Sequence, residues 1–281
     1  MQIVNNISDV RKIIKQWQRE GLSVGFVPTM GYLHEGHASL IEAANKENAK
    51  VVVSIFVNPI QFGPKEDLDK YPRDLERDSK IVETSGGDLI FNPSPSEMYT
   101  EDFSSFVEVN SLTDGLCGAK RPGHFKGVCT VVTKLFNIVT PDKAYFGEKD
   151  AQQLAVIKKM VRDLNIPVEI IGCPIIREND GLAKSSRNVY LNSEERAAAL
   201  VLSKSLEKAK EALKSGERSS EKIRDIIMGT LSSEPLAQID YVEIVDSISL
   251  TSIDYIENSI LIAIAVFIGK TRLIDNFTFK L

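Results

Sequence analysis

Two of the three histidines in this 281-residue chain, His34 and His37, stand three positions apart in the segment PTMGYLHEGHASL. Leu22 to Val27 precedes them as a short apolar strand, and Pro28 and Gly31 break that strand with residues suited to a tight turn. Leu40, Ile41, Ala43 and Ala44 follow at helical spacing, which predicts a helix starting near His37. Both imidazoles then lie about one turn apart at a helix N-terminus, where unpaired backbone N–H groups and the helix dipole favour a bound phosphate. The same dipole disfavours an imidazolium, yet a neutral ring can still donate to a phosphate oxygen. Gly36 has no side chain and lets a ligand approach the backbone between the rings. Taken alone, the pair could equally be two ordinary surface or half-buried histidines.

Three further segments bear on the choice. In FVNPIQFGP, Asn58 and Gln61 are amides that both donate and accept, which suits a substrate with hydroxyl and carboxylate groups; Asn, Pro and Gly also make turns for backbone reasons alone. The stretch AYFGEKDAQQL repeats the design of the first motif, with Gly147 permitting close approach, Lys149 supplying a point charge, Asp150 placed to cap a helix and Gln153 one turn into it. DGLAKSSRNVYL gathers Lys184, Ser185, Ser186 and Arg187, two cations and two hydroxyls able to neutralise a polyphosphate and the charge building on its bridging oxygen. A generic charged loop has the same composition. Between these segments RPGHFKGV packs Arg121, His124 and Lys126 ahead of a helix, either to close over anionic groups or as a solvated basic turn. Together the segments point to nucleotide chemistry. There is no GxxxxGK[ST], no GxGxxG and no GxSxG, which sets aside P-loop NTPases, standard dinucleotide dehydrogenases and serine hydrolases of the elbow type.

The elements that must position these residues alternate. Helices are predicted at Ser8–Arg19, from His37, at Asp74–Thr84, Val128–Val139 and Asp150–Leu164; strands at Leu22–Val27, Val51–Val57, Asp88–Phe91, Ala144–Phe146 and Val168–Cys173. Val51 to Val57 is almost continuously apolar, as a central parallel strand covered on both faces must be. This alternation implies an α/β architecture with a doubly wound parallel sheet and ligands beyond the strand C-terminal ends, where the motifs fall. Beyond Ile176 the pattern changes to helices at Ser193–Lys214 and Ser219–Leu231, then strands at Ile239–Val245, Ile260–Ile268 and Arg272–Phe277, a smaller α+β unit with an antiparallel sheet. The boundary is placed there, with domains over 1–176 and 177–281.

Composition narrows the class. Thirty-four basic and 39 acidic residues leave a formal charge of −5, so no global field draws the chain to nucleic acid or an anionic membrane. The longest apolar run, Ile260 to Ile268, has nine residues, about half of a membrane span. The N-terminal stretch mixes charges and amides through its apolar positions and lacks the regions of a signal peptide, so the cytoplasm is expected. Cys117, Cys129 and Cys173 match neither a disulfide framework nor a zinc site and are read as reduced and structural.

HEGH after a first strand, paired with a distal KSSRN loop, resembles the HxGH and KMSKS-like signatures of the nucleotidylyl transferase superfamily. PTMGYLHEGHASL, FVNPIQFGP, RPGHFKGVCTVV, FGEKDAQQL, DGLAKSSRN and IGKTRLIDN, in that order over essentially the full length, resemble the pantoate–beta-alanine ligase family more closely. The resemblance implies a Rossmann-like ATP- and pantoate-binding domain and ATP-dependent condensation of (R)-pantoate with β-alanine through a pantoyl adenylate, with release of AMP and pyrophosphate. It assigns ATP to Met30, Gly31, Tyr32, Leu33, His34, Glu35, Gly36, His37, Gly147, Glu148, Lys149, Asp150, Ile176, Lys184, Ser185, Ser186 and Arg187. Catalysis falls to His37 and His34, aided by Lys149 and Arg187; pantoate falls to Gln61 and Gln153, and β-alanine to Gln61. Asn58, Tyr71 and Arg121 lie in family segments near the site. Lys184 stands where the family often has methionine. Mg²⁺ is expected with the triphosphate, its ligands unassigned, and a homodimer is implied. An adenylyltransferase that stops at nucleotide transfer, or a non-catalytic nucleotide-binding regulator, would use similar motifs.

Overall fold

A computed structural model describes residues 1–64 and 66–281. Its strands are β1 (Gln2–Val4), β2 (Val24–Thr29), β3 (Lys50–Ile55), β4 (Leu89–Phe91), β5 (Lys143–Gly147), β6 (Glu169–Cys173), β7 (Ala237–Asp246), β8 (Ile260–Ile268) and β9 (Thr271–Phe279). The helices are α1 (Ile7–Arg19), α2 (Glu35–Glu47), α3 (Leu75–Thr84), α4 (Pro95–Met98), α5 (Leu116–Lys120), α6 (His124–Val139), α7 (Ala151–Asp163), α8 (Ser193–Ala198), α9 (Leu200–Lys214) and α10 (Ser220–Leu231). Two compact units emerge: one comprises 1–113, 118–148 and 153–174, the other 114–117, 149–152 and 175–281. The second unit thus takes in two short insertions from before Ile176, around Leu116 and Lys149.

In the first unit, six strands pair in the order β1-β4-β3-β2-β5-β6, all parallel. The apolar run of β3 reflects cover on both faces of the sheet: Val51, Val52 and Val53, whose side chains alternate between faces, are fully buried. Strand order runs from β2 through β3 to β4 on one side and from β5 to β6 on the other, so the switch point lies between β2 and β5. Ligands of doubly wound sheets bind at that crevice, beyond the strand C-terminal ends. The His34–His37 segment leaves β2 there, and Gly147 ends β5 beside it.

In the second unit, β7, β8 and β9 form an antiparallel sheet. Its core joins Ile262, Ile264 and Val266 of β8 to Leu202, Leu206 and Leu213 of α9 and Ile223 and Ile227 of α10. Truncating a fully buried isoleucine such as Ile264 to alanine costs about 2–5 kcal/mol in sites of this kind, so this core gives the loops of the unit a firm base.

Several element boundaries differ from expectation. β2 begins at Val24, because pairing starts at Val24↔Lys50 and residues 22 and 23 lie outside the ladder. α6 begins at His124, four residues early, after Gly123 in a left-handed conformation (φ 81). The predicted helix over 193–214 is two helices meeting at Ala199. β1 has no counterpart in the predicted set; only parallel pairing with β4 makes it a strand.

Candidate active site

The segment after β2 is set by side chains rather than by free backbone donors. Thr29 Oγ1 donates to the Ser54 carbonyl at 2.7 Å and accepts from Gly31 N–H at 3.2 Å, which turns the chain off the sheet. Gly31 (φ 87) and Tyr32 (φ 49) are both left-handed, a conformation costly for a tyrosine unless its surroundings hold it. Asp78 of α3 provides the hold. Its buried carboxylate accepts from Tyr32 N–H at 2.8 Å and Leu33 N–H at 2.6 Å. Burial raises the Asp78 carboxyl above the ordinary Asp range, against the lowering effect of these two bonds. Arg77, the preceding residue, lies over the Tyr32 ring at 4.7 Å.

α2 starts at Glu35, two residues ahead of the expected start, with His34 as its N-cap, and the two imidazoles complete a capping box. Gly36 N–H donates to His34 Nδ1 at 3.1 Å, and His34 N–H donates to His37 Nδ1 at 3.2 Å. The ring centroids are 4.1 Å apart. With both Nδ1 atoms accepting, a neutral ring must carry its hydrogen on Nε2. This corrects the expectation that backbone N–H groups here await a phosphate: those of Tyr32, Leu33, His34 and Gly36 are used within the chain.

The second motif is built around Gln61, which is buried in the short turn Pro59–Gln61. Asn58 Nδ2 donates to Gln61 Oε1 at 3.0 Å and to the Gly127 carbonyl at 3.2 Å, while Asn58 Oδ1 accepts from the Tyr99 hydroxyl at 2.7 Å. Asn58 therefore supports Gln61 from within. Gln61 Nε2 meets Met30 Sδ at 3.0 Å, which joins the second motif to the first. Tyr71 is buried edge-on against Phe62. In RPGHFKGV the cations have partners within the chain: Arg121 pairs with both oxygens of Glu66, at 2.7 and 2.6 Å, and Lys126 lies over the Phe106 ring at 4.7 Å. Burial pushes the Glu66 carboxyl up, but the Arg121 guanidinium outweighs it and holds the group below the usual carboxylate range. Glu148 is exposed and Gln153 half-buried on the first turn of α7.

The remaining predicted residues belong to the second unit. Lys184 N–H donates to the Ile176 carbonyl at 2.9 Å, closing a hairpin in which Arg177 pairs with Ala183. Ser185 accepts from Arg187 N–H at 3.3 Å and caps the turn Ser186–Tyr190, in which Ser186 is buried. Lys149 and Ser185 line one small cavity of about 10 Å³ with Asn188 and Asp275. Asp150 ends the single turn Glu148–Asp150 ahead of α7.

Sequence reasoning gave no role to Asp78, Asp275 or Asn276. Asp275 is buried and accepts both guanidinium arms of Arg177, at 2.7 and 2.9 Å, while Asn276 Nδ2 donates to the Lys149 carbonyl at 2.7 Å. The IDN end of β9 thus fixes both the Lys149 segment and the hairpin that leads to Lys184. A signal was present for Asp78: it lies on the stripe of Leu75, Ile81 and Val82 in α3, where a carboxylate must have a buried partner.

A doubly wound parallel sheet carrying a histidine-capped helix at its switch point defines a nucleotide-handling α/β protein. The comparisons are more specific. The family model for pantoate-beta-alanine ligase matches residues 2–278. The pantothenate synthetase of Clostridium botulinum (strain Langeland) is 69% identical over 281 residues, the full length of both chains. The crystal structure of pantothenate synthetase from Thermus thermophilus superposes with a TM-score of 0.94 at 46% identity, over 99% of each chain. That of the pantoate-beta-alanine ligase from Francisella tularensis, complexed with beta-gamma ATP and β-alanine, has a TM-score of 0.79 at 38% identity, over 99% of this chain and 97% of that one. The chain belongs to the pantoate–beta-alanine ligase family, and it is a ligase.

Proposed function

We propose that this chain joins (R)-pantoate to β-alanine at the expense of ATP, giving pantothenate, AMP and pyrophosphate. The observation that carries the reading is the imidazole capping box of His34 and His37, linked through Met30 to the amide of Gln61. In the first step a pantoate carboxylate oxygen attacks the α-phosphorus of ATP and the bond to pyrophosphate breaks. Charge builds on the bridging oxygen, and Nε2–H of His37 and of His34, with Lys149 and Arg187, would meet it. Gln61 and Gln153 would orient pantoate. In the second step the neutral amine of β-alanine, placed by Gln61, attacks the acyl carbon, AMP leaves and the amine loses a proton to solvent. No covalent protein intermediate is needed.

Among the described residues no group of three or more His, Cys, Asp or Glu side chains is placed to hold a metal ion. A Mg²⁺ bound with the triphosphate, its ligands unassigned, would screen the charge of the departing pyrophosphate. Among the described residues no helix is long and apolar enough to cross a membrane. A homodimer follows from the family resemblance.

The test is isotope exchange between pyrophosphate and ATP, which should require pantoate and Mg²⁺ but not β-alanine. Exchange that appears only after the amine is added would overturn the two-step reading. Within the site, Gln61→Ala should raise KM for pantoate and β-alanine roughly five- to tenfold, the scale of one neutral hydrogen bond, while KM for ATP stays within about twofold. An equal rise for ATP would place Gln61 elsewhere.

A further inference from the structure

We propose that His124 is a positioning residue for Gln61, acting as a neutral ring with its hydrogen on Nδ1. The ring is buried at the start of α6, with Nε2 at 2.9 Å from Arg121 NH1 and Nδ1 at 2.9 Å from the Gln61 carbonyl oxygen. A guanidinium can only donate and a carbonyl can only accept. Nε2 is therefore the acceptor and Nδ1 the donor. Arg121 is held in turn by Glu66, whose carboxylate takes its Nε and NH2. The direction of every bond in the chain Glu66–Arg121–His124–Gln61 is fixed by donor chemistry.

The contact falls on the backbone of the residue whose amide faces Met30. Gly127, one turn further along α6, brings the helix against the same turn: a Cβ there would lie 2.5 Å from the Ile60 carbonyl oxygen and 2.6 Å from Gln61 Cα. Asn58 ties Gln61 Oε1 to the Gly127 carbonyl. Gln61 is thus held through its carbonyl by His124, at its backbone by the bare face of Gly127 and at its side chain by Asn58. The His124 bond is directional and on the main chain, and with the bond from Gln61 N–H to the Asn58 carbonyl at 3.4 Å it sets the rotation of the Pro59–Gln61 turn and the aim of the amide. Two opposite tautomers then serve one site: hydrogen on Nε2 in His34 and His37, and on Nδ1 in His124.

This inference rests on the reading that Gln61 holds pantoate, and the experiment separates the two. With three histidines in the chain, ring ¹⁵N spectra of the wild-type protein resolve each tautomer. We expect the Nδ1–H form for His124, and an Nε2–H form or an imidazolium at neutral pH would overturn the proposal. In kinetics, His124→Ala should raise KM for pantoate about tenfold with KM for ATP changed less than twofold. His124→Asn, which keeps a donor near the Nδ1 position, should restore most of it; His124→Gln, which keeps only a group near Nε2, should not. Equal rescue by Asn and Gln, or parallel rises in both KM values, would assign His124 a structural role only. If His124→Ala does not fold, the Asn and Gln variants and the wild-type spectrum still decide. A wild-type enzyme that supports no pantoate-dependent exchange would refute the functional reading instead, and leaves the tautomer result to stand or fall on its own.

Discussion

Replacing His37 by alanine should slow pantoyl-adenylate formation by roughly 10²- to 10³-fold, the scale for losing one preorganised donor to a developing charge. Ground-state ATP affinity should fall less, since His34 and Lys149 remain. The capping box adds a second consequence. His37 Nδ1 accepts the His34 N–H, so alanine also removes a cap, at a cost of about 1 kcal/mol and a melting temperature lower by roughly 2–4 °C. Two further variants separate these effects. Asparagine keeps an acceptor near Nδ1 and should hold the melting temperature while showing the full rate loss. Glutamine keeps an N–H near Nε2 and should recover part of the rate. The measurements are single-turnover adenylate formation and thermal unfolding for all three variants. Normal adenylation by a folded but less stable His37→Ala protein would show that the imidazole serves only the helix.

How legible this was depends on the range of each interaction. His34 and His37 could be read because turn residues, Gly36 and an apolar stripe surround them within a dozen positions. That they cap α2 themselves could not, since imidazole is outside the usual N-cap set of Ser, Thr, Asp and Asn. The parallel sheet was visible in β3, whose unbroken apolar run reflects burial of both faces, whereas β1 depends on pairing with a strand some 87 positions away, at Gln2↔Leu89. The RPGHFKGV cluster looked like a free cationic loop because its counter-charge, Glu66, lies 55 positions earlier. The split of 193–214 at Ala199 left no mark in composition, with neither Gly nor Pro at the junction. Local chemistry was readable where the partner was local. Where support comes from distant carboxylates, as Asp78 gives Tyr32 and Leu33 and Asp275 gives Arg177, the sequence offered only a polar residue on an apolar stripe or a motif without a role.

Asp78→Asn should be the most damaging change outside the residues assigned to substrate. The carboxylate offers one oxygen to Tyr32 N–H and one to Leu33 N–H; the amide offers a single oxygen and turns an NH₂ toward the other donor. A buried N–H left without an acceptor costs about 1–3 kcal/mol, and the left-handed Tyr32 loses the bond that holds it. The loop carrying His34 should therefore lose its fixed position, with pantoate-dependent pyrophosphate exchange falling about 10²-fold, the penalty for misplacing reacting groups by about an ångström. Acid should have a related effect in the wild type. Burial raises the Asp78 carboxyl above the ordinary Asp range, so the folded chain takes up this proton more readily than the unfolded chain. The stabilisation it gives is complete below the unfolded pKa and lost as pH rises through the folded pKa. The loop, in contrast, needs the ionised form. As pH falls through the raised pKa, exchange should decline while this group contributes no loss of stability, so the acid limb of activity should precede the fall in melting temperature. Recording both against pH, for wild type and Asp78→Asn, checks this. If exchange and melting temperature decline together in the wild type, or if Asp78→Asn exchanges at the wild-type rate, the Asp78 carboxylate does not govern the loop.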